Sequence, residues 1–417
     1  MNTPRRLQAM IIGAGTGGLC LAHGLLARGI EVRVFERDRT PSDRLQGYRL
    51  TISATGNRSL QSCLPKANFE RFVAASAKPN TGVNFQDHRL RRLLRIPIPP
   101  VDPTAPQSVR PVSRIALRRI LLDGLRDVVS FDKTFLSFEN APDDRITVQF
   151  SDGSTASGDV LIGADGAGSR VRGQLLPDAR RIDTGIVAVS GRFSLDEAAR
   201  HETPPVIFEG PALFMGPAGR FMFASVVEYP PGNVSPYDQD EYVMWGFSAR
   251  PKALALSGPI DNVSGATAKE HVLAQMSAWH PALRRLVDRA DPTTMSCFPV
   301  KSAQVVKPWT TRNVTLLGDA IHNMTPFRGM GANTALRDAA ALREALVAVS
   351  CGKQALLPAL AGYERDMLEH GFAAVRSSLA NMRRMHARSP LSRFATRSML
   401  RAADAFPPLQ RIFRSER

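Results

Sequence analysis

The apolar run Ala9-Met10-Ile11-Ile12 passes directly into Gly13-Ala14-Gly15-Thr16-Gly17-Gly18, and this join constrains the fold more than any other stretch of the chain. In Gly13-x-Gly15-x-x-Gly18 the first glycine permits a tight turn. The second lets the backbone approach a pyrophosphate, and the third lets helix and strand pack closely. Periodicity from Gly17 to Arg28 is helical, Gly29 breaks it, and Glu31-Val32-Arg33-Val34-Phe35-Glu36 alternates as a second strand. Glu36 lies 23 residues after Gly13 and ends that strand, where a carboxylate can accept hydrogen bonds from adenosine ribose hydroxyls. Strand, glycines, helix, strand and terminal acid in this order predict a βαβ unit for an adenine dinucleotide. The helix N-terminus at Thr16 and Gly17 then faces the phosphates.

Two later turns resemble this one in kind. Val160-Leu161-Ile162 reads as a buried strand and runs into Gly163-Ala164-Asp165-Gly166-Ala167-Gly168-Ser169-Arg170-Val171-Arg172. Taken alone, that segment is equally an ordinary β-turn with a helix cap at Ser169. A last strand, Asn313 to Leu317, ends in Gly318-Asp319-Ala320, and Gly329-Met330-Gly331-Ala332-Asn333 follows Pro326 before a long helix from Ala335 to Ser350. Asp319 can accept a hydrogen bond from a sugar-like hydroxyl, and the glycine turn can present N–H groups to a ring carbonyl. Half of a dinucleotide site near each end of the chain points to a flavin over a nicotinamide as resident cofactor.

The 417 residues, 43% of them hydrophobic, suffice for about two domains with a large core. Between the dinucleotide-type segments the texture changes. Thr40 to Gly56 is polar and turn-rich, Pro97 to Pro103 reads as an exposed connection, and Ile115 to Val128 is helical in pattern. Arg145 to Phe150 followed by Asp152-Gly153 reads as a strand and hairpin turn. From Asp183 to Met295 strands dominate, and Phe221/Phe223 and Trp245/Phe247 each stand two apart, so each pair can line a sheet face. Most such residues pack a core; a substrate cavity needs only a few.

Cys20, Cys63, Cys297 and Cys351 show neither metal-type spacing nor a disulfide framework, so no metal site is expected. The N-terminus leaves no room for a signal segment before Ala9 and no apolar stretch reaches the length of a membrane span, which leads to the expectation of a soluble, cytoplasmic protein. Net charge is +16, and the last 35 residues contribute seven of it, nine arginines against Asp404 and Glu416. With only Phe394, Phe406 and Phe413 interleaved, this is not a nucleic-acid reader. It reads as a solvated terminal helix face packed on the body, with membrane-surface contact as the alternative.

The three turns in this order resemble the single-component flavoprotein aromatic hydroxylases, the p-hydroxybenzoate hydroxylase-like family, over nearly the whole chain. Asp165-Gly166 with Ser169 and Arg172 matches the family's DG motif. Gly318-Asp319-Ala320 with His322, Pro326, Gly329, Gly331 and Asn333 matches its GD motif. Arg114 looks like the family arginine that reaches the flavin phosphates or ribityl chain. The resemblance implies FAD held by Gly13, Gly15, Thr16, Gly17, Gly18, Glu36, Arg37, Arg114, Asp165 and Asp319, and by Pro326, Gly329, Gly331, Ala332 and Asn333. It places Asp165, Gly166 and Arg172 near the pyrophosphate or NAD(P)H, and makes Arg49, Phe221, Phe223, Trp245, Phe247 and Phe327 substrate-pocket candidates.

The implied activity is monooxygenation of an aromatic or polycyclic small molecule; the alternatives are another flavin reaction on the same scaffold (epoxidation, Baeyer–Villiger insertion or reduction) and a non-catalytic, flavin-loaded binding protein. NADPH or NADH reduces FAD transiently, and reaction with O2 gives a flavin C4a-hydroperoxide. No particular catalytic acid or base is singled out. His322 is read as structural, and the chain as a monomer or homodimer. Met330 stands where glutamine is frequent and Phe327-Arg328 replaces small residues, departures that bear on substrate and flavin mobility. Halogenation is disfavoured because Trp245, Trp279 and Trp309 are isolated from one another.

The expected fold is α/β, a Rossmann-like doubly wound FAD-binding domain with an inserted antiparallel sheet and a helical C-terminus. FAD-binding segments are expected at 1–75, 106–180 and 296–370, substrate-domain segments at 76–105 and 181–295, and a basic helical region at 371–417.

Overall fold

The computed structural model describes residues 6–41, 49–99, 105, 108–141, 145–230, 240–254, 260 and 263–412. Five parallel strands form one sheet in the order Val314–Leu316, Val160–Gly163, Gln8–Ile12, Glu31–Phe35, Val129–Ser130. Helices cover it, so its strands read as continuous apolar runs: Ile11, Val34, Leu161, Ile162 and Leu316 are fully buried. Ile12 stands opposite Gly163, and Gly163 opposite Leu316. This register brings the glycine loop after Ile12, the Ala164-Asp165 turn and the Gly318-Asp319 turn side by side at one carboxyl edge, where open α/β sheets bind ligands. Three sequence segments spread over some three hundred residues thereby become neighbours.

A second sheet of seven strands runs Ser296–Ala303, Arg181–Ser194, Tyr242–Ala249, Phe221–Val227, Ala212–Met215, Gly82–Asp87, Arg92–Pro97. All pairs are antiparallel except Ala212–Met215 with Gly82–Asp87. Its far face packs on helices Gly265–Gln275 and Pro281–Asp288 around Trp245, Phe247, Val272 and Leu283. These helices interrupt a stretch expected to be strands. The strand Ser296–Ala303 follows the 295 boundary and pairs with Arg181–Ser194 at the edge of this sheet.

Within the turn-rich stretch 40–56, Arg49–Ile52 is a strand paired with Arg110–Ser113, and a helix, Ala54–Cys63, follows. Four residues with one fully buried side chain, Ile52, are too short a signal to separate from a loop. The proline stretch after Pro97 lies largely outside the described residues, whereas the hairpin turn at Gly153 is present with φ +80°.

The 30-residue helix Leu356–Met385 joins the two sheets. Leu360, Tyr363, Met367 and Phe372 pack in the parallel-sheet core, and Met382 packs with Ile186, Ala188 and Val300 of the other sheet. Pro390–Ala405 then returns along the Arg92–Pro97 edge strand, burying Leu400 and Ala403 against Phe85, Leu93 and Leu94. Asp404 accepts from Arg92 at 2.8 Å. Leu391 and Phe394 stay 77% and 69% exposed, on the opposite side of the helix. No described helix is long and apolar enough to cross a membrane.

Deleting residues 388–417 is expected to leave FAD binding intact, since no proposed cofactor contact lies there, while uncovering the Phe85/Leu93/Leu94 surface and lowering solubility. A soluble but colourless truncated protein would contradict this; absorbance of the purified protein decides.

Candidate functional site

A cleft of about 380 Å³ opens at the carboxyl edge, walled by the Gly13–Thr16 loop, Glu36, Arg37, Arg114, Asp165 and Arg170, among others. The glycines divide their work. Gly13 adopts φ +109°, and a Cβ there would stand 2.4 Å from the Ala164 carbonyl oxygen. A Cβ on Gly18 would meet the Gly13 oxygen at 2.3 Å, and one on Gly17 would meet Leu317 at 2.4 Å. Gly15 alone faces open space, the place at which a phosphate can approach backbone.

Glu36 fixes this loop, its Oε2 accepting from Ala14 N–H at 2.7 Å and its Oε1 from Asp38 N–H at 3.0 Å. Each oxygen retains a second acceptor position. Arg118 pairs with Asp38 at 2.9 Å, whereas Arg37, Arg114 and Arg170 are exposed. Those guanidiniums and the N-terminus of helix Thr16–Leu26 make the cleft attractive to phosphates. Asp165 caps the Arg170–Leu175 helix, its Oδ2 accepting from Arg170 N–H at 2.7 Å, while its buried Oδ1 has no partner in the protein. An orphaned acceptor in the wall of the cleft fits a donor from a bound dinucleotide.

Arg172, placed by the sequence near the pyrophosphate or NAD(P)H, is bonded to backbone carbonyls. Its Nη1 donates to the Ala320 carbonyl at 2.7 Å, Nη2 to Ala167 at 3.2 Å and Nε to Ala179 at 3.2 Å. It ties the Asp165 turn to the Asp319 turn through three of its five N–H groups.

At the other end of the edge Gly318 takes φ +64°, and a Cβ there would approach Ala335 Cβ to 2.9 Å. That turn aims Asp319 outward, where its side chain is accessible. The protein around it still pushes its pKa up by desolvation, against the pull of His322, Asn323, Arg114 and Arg181. Gly329 is left-handed, with φ +62°, and the helix Gly331–Ser350 begins immediately after. The first helix N–H bonded within the protein is that of Thr334, to Met330, so the donors of Gly331, Ala332 and Asn333 remain for a ligand.

The Asn333 side chain is otherwise engaged. Its Oδ1 accepts from Ser53 N–H at 2.8 Å and its Nδ2 donates to the Thr51 carbonyl at 2.9 Å, clasping strand Arg49–Ile52 to the turn. Pro326-Phe327-Arg328 forms a 3-10 turn anchored on the long helix through Asn381 Nδ2 to the Phe327 carbonyl at 2.8 Å and Arg328 to Ser377.

Beneath the Asp319 turn lies a buried network that the sequence did not single out. Asp338 accepts from Gly318 N–H at 2.9 Å, and its oxygens take one hydrogen bond each from His322 Nε2 and His370 Nε2, both at 2.7 Å. Asp338 and His322 are fully buried. Desolvation opposes charge on both, yet each favours the other's ion: Asp338 is held well below the carboxylate range and His322 is raised. Gly371 passes so close that a Cβ would stand 2.4 Å from the His322 ring. His322 is therefore part of the support for Gly318, sealed from any ligand.

Across the site, the two pairs of aromatic candidates part company. Phe221 pairs with Ser248 and Met222 with Phe247, and residues directly opposite share a face. Phe221 and Phe223 accordingly face the long helix and Phe327, whose ring centroid lies 5.7 Å from that of Phe221. Trp245 and Phe247, expected in the pocket, point to the far face and are fully buried in its core. On the near face Leu213, Phe223, Met244 and Phe327 are half-buried. His386, also missed, packs 5.0 Å from Phe327 between Ser248 Oγ at 2.9 Å and the Met382 carbonyl at 2.8 Å, and burial lowers its pKa to about 4.

An edge that gathers a glycine loop, an acid-ended strand, an orphaned carboxylate oxygen and a second glycine turn with free donors suits FAD. Comparison with known proteins agrees. The FAD binding domain family model matches residues 6–378. The dual O-methyltransferase/FAD-dependent monooxygenase elcB of Phaeosphaeria nodorum is 30% identical over 389 residues, which are 84% of this chain and 41% of that protein. The chain thus spans about two fifths of the length of the curated relatives it matches first. A candidate FAD-containing monooxygenase from Photorhabdus luminescens superposes with TM-score 0.81 at 35% identity, covering 91% of this chain and 98% of its own. HpxO from Klebsiella pneumoniae, solved with FAD and uric acid, gives TM-score 0.79 at 25% identity, with coverage of 97% and 95%. With fold, edge and motifs in agreement, the chain belongs to the FAD-binding-domain family, among the flavoprotein monooxygenases of the aromatic-hydroxylase type.

Proposed function

We propose that this chain, with FAD bound, hydroxylates an aromatic or polycyclic small molecule at the expense of NADPH or NADH: substrate, O2, NAD(P)H and a proton give hydroxylated product, NAD(P)+ and water. Bound FAD supplies the two-electron redox chemistry that lets O2 donate one oxygen atom to an organic substrate. The observation that carries the reading is the half-buried apolar patch of Leu213, Phe223 and Phe327. It shares the face of the seven-stranded sheet that meets the glycine turn. Relatives named urate hydroxylase and a neighbour solved with uric acid support a flat ring system as ligand class.

The protein's own contribution is placement. Glu36, Arg37, Arg114 and Asp165 would hold the adenosine diphosphate end, and Asp319 the ribityl chain. The free N–H groups of Gly331, Ala332 and Asn333 would hold the pyrimidine edge of the ring. Phe223 and Phe327 would stack or edge-pack the substrate and exclude water. His386, neutral and with both ring nitrogens bonded, would serve as wall and not as proton carrier. Residues 1–75, 106–180 and 304–370 would form the FAD-binding part, with 76–105 and 181–303 covering the ring.

The purified yellow protein should oxidise NAD(P)H faster when given its substrate from a panel of phenols, indoles and polycyclic aromatics, with little peroxide formed. Consumption unchanged by every aromatic, and all of it recovered as peroxide, would refute hydroxylation.

A further inference from the structure

The three most exposed large apolar side chains among the described residues, Leu391, Phe394 and Phe406, all belong to the Pro390–Ala405 helix or its C-cap. At 3.6 residues per turn, Leu391, Phe394, Ala395, Ser398, Ala402 and Ala405 fall in one strip about 100° wide, turned away from the side that buries Leu400 and Ala403. Phe406 continues the strip at the helix end, and Leu409 follows in the next 3-10 turn. Every one of these positions is exposed, and none is charged.

The strip reads alike in either direction. Counted outward from Leu400, Ser398 and Ala402 stand two residues away, Ala395 and Ala405 five, Phe394 and Phe406 six, and Leu391 and Leu409 nine. A second copy laid antiparallel across it, on a two-fold axis beside Leu400, therefore sets small residues against small at the centre and large against large at both ends. An isologous contact requires this self-complementarity. Small central residues let two helices approach closely, and the large ones fill the gap that opens as crossed helices diverge. A bilayer surface requires no such order, and alanine and serine carry little apolar surface into lipid. Of the cations on this helix only Arg401 borders the strip; Arg393 and Arg397 lie toward the body, where Arg397 donates to the Met215 carbonyl at 3.1 Å.

We propose that this strip is a docking surface for a second copy of the same chain, the two Pro390–Ala405 helices pairing antiparallel about Leu400. The helix is about 24 Å long, and a single helix seam of that length buries less than the roughly 800 Å² per partner of a standard interface, so the dimer forms in the micromolar range. The last 35 residues of each copy carry nine arginines against two acids, and this repulsion across the seam is screened by salt. Salt therefore tightens the pair, whereas it would loosen the same helix from an anionic membrane.

Sedimentation velocity of the full-length, FAD-loaded chain over about 1 to 100 µM should show a monomer passing to a dimer, with the dissociation constant falling as NaCl is raised. Ala402→Glu puts a charge at the centre of the strip on a position exposed in the monomer, and should weaken the dimer about tenfold or more while leaving FAD content unchanged. The register has its own readout. Ser398→Cys and Ala402→Cys are made separately in a Cys351→Ser background, Cys351 being the exposed native thiol, and are mixed in equal amounts with oxidised glutathione. Antiparallel pairing sets residue 398 of one copy against 402 of the other, so the mixture should cross-link faster than either variant alone.

A monomer at every concentration overturns the inference. So does a dimer that Ala402→Glu leaves intact, which would place the contact elsewhere, or a mixture that cross-links no faster than its components. Flotation of the monomer with phosphatidylserine vesicles, abolished by Ala402→Glu and by salt, would make the strip a membrane face and overturn it as well. Should Ala402→Glu not fold, the wild-type concentration series and the cysteine mixture decide between the same outcomes.

Discussion

Asp319→Ala is expected to fold and to lose FAD on dilution, its affinity falling about ten- to hundredfold. The turn at Gly318 forces the carboxylate out of the sheet edge, where its side chain is accessible although the surrounding protein desolvates it. An accessible carboxylate beside Arg114 and the free donors of Gly331 to Asn333 is placed to accept from a ribityl hydroxyl. A charge-assisted bond of this kind contributes roughly 1.5–3 kcal/mol. Asp319→Asn retains an acceptor without the charge and should bind at an intermediate level. If Asp319 served only its own turn, the alanine variant would lose thermal stability equally with and without FAD. Titration of FAD into both apo variants, with melting followed in parallel, separates these outcomes.

Asp338→Ala should cost more, about 3–5 kcal/mol of folding stability, because it leaves a buried and a half-buried imidazole and the Gly318 N–H without their shared acceptor. The pH dependence follows from the directions of the shifts. Asp338 has a depressed pKa in the folded state, so its contribution is present above the unfolded value of 3.8 and is lost as pH falls through the lower folded one. His322 is raised, so its contribution is complete below 6.5 and is lost as pH rises through the folded value. The pair therefore stabilises most between these two unfolded values. The wild-type advantage over Asp338→Ala, measured by denaturant unfolding at several pH values, should peak near pH 5 to 6 and shrink on both sides. An advantage independent of pH would mean that the network is held by shape and not by charge.

What could be read from the sequence were local relations. The three turns were visible because each consists of an apolar strand followed at once by glycine, with an acid in the second and third, and parallel pairing makes three such turns neighbours. Relations between strands were not visible. Alternation shows that Phe221 and Phe223 share one face and that Trp245 and Phe247 share another, but only the register, Phe221 opposite Ser248, assigns the second pair to the far core. Asp338 carried one usable signal, a lone acid among Leu336, Ala339 and Leu342 on the buried side of its helix. Its partners lie 16 and 32 residues away and at Gly318, so no motif contains them. The side-chain partners of Asn333 and Arg172 were not visible for a related reason: sequence position does not show which backbone groups a side chain bonds.

The most direct test of oxygenation at this site is to run the reaction under ¹⁸O2 with whichever aromatic stimulates NAD(P)H oxidation, and to weigh the product. One labelled oxygen atom per product molecule is expected, with NAD(P)H, O2 and product in equal amounts. Product carrying oxygen only from water, or unmodified aromatic recovered beside a full equivalent of peroxide, would contradict it.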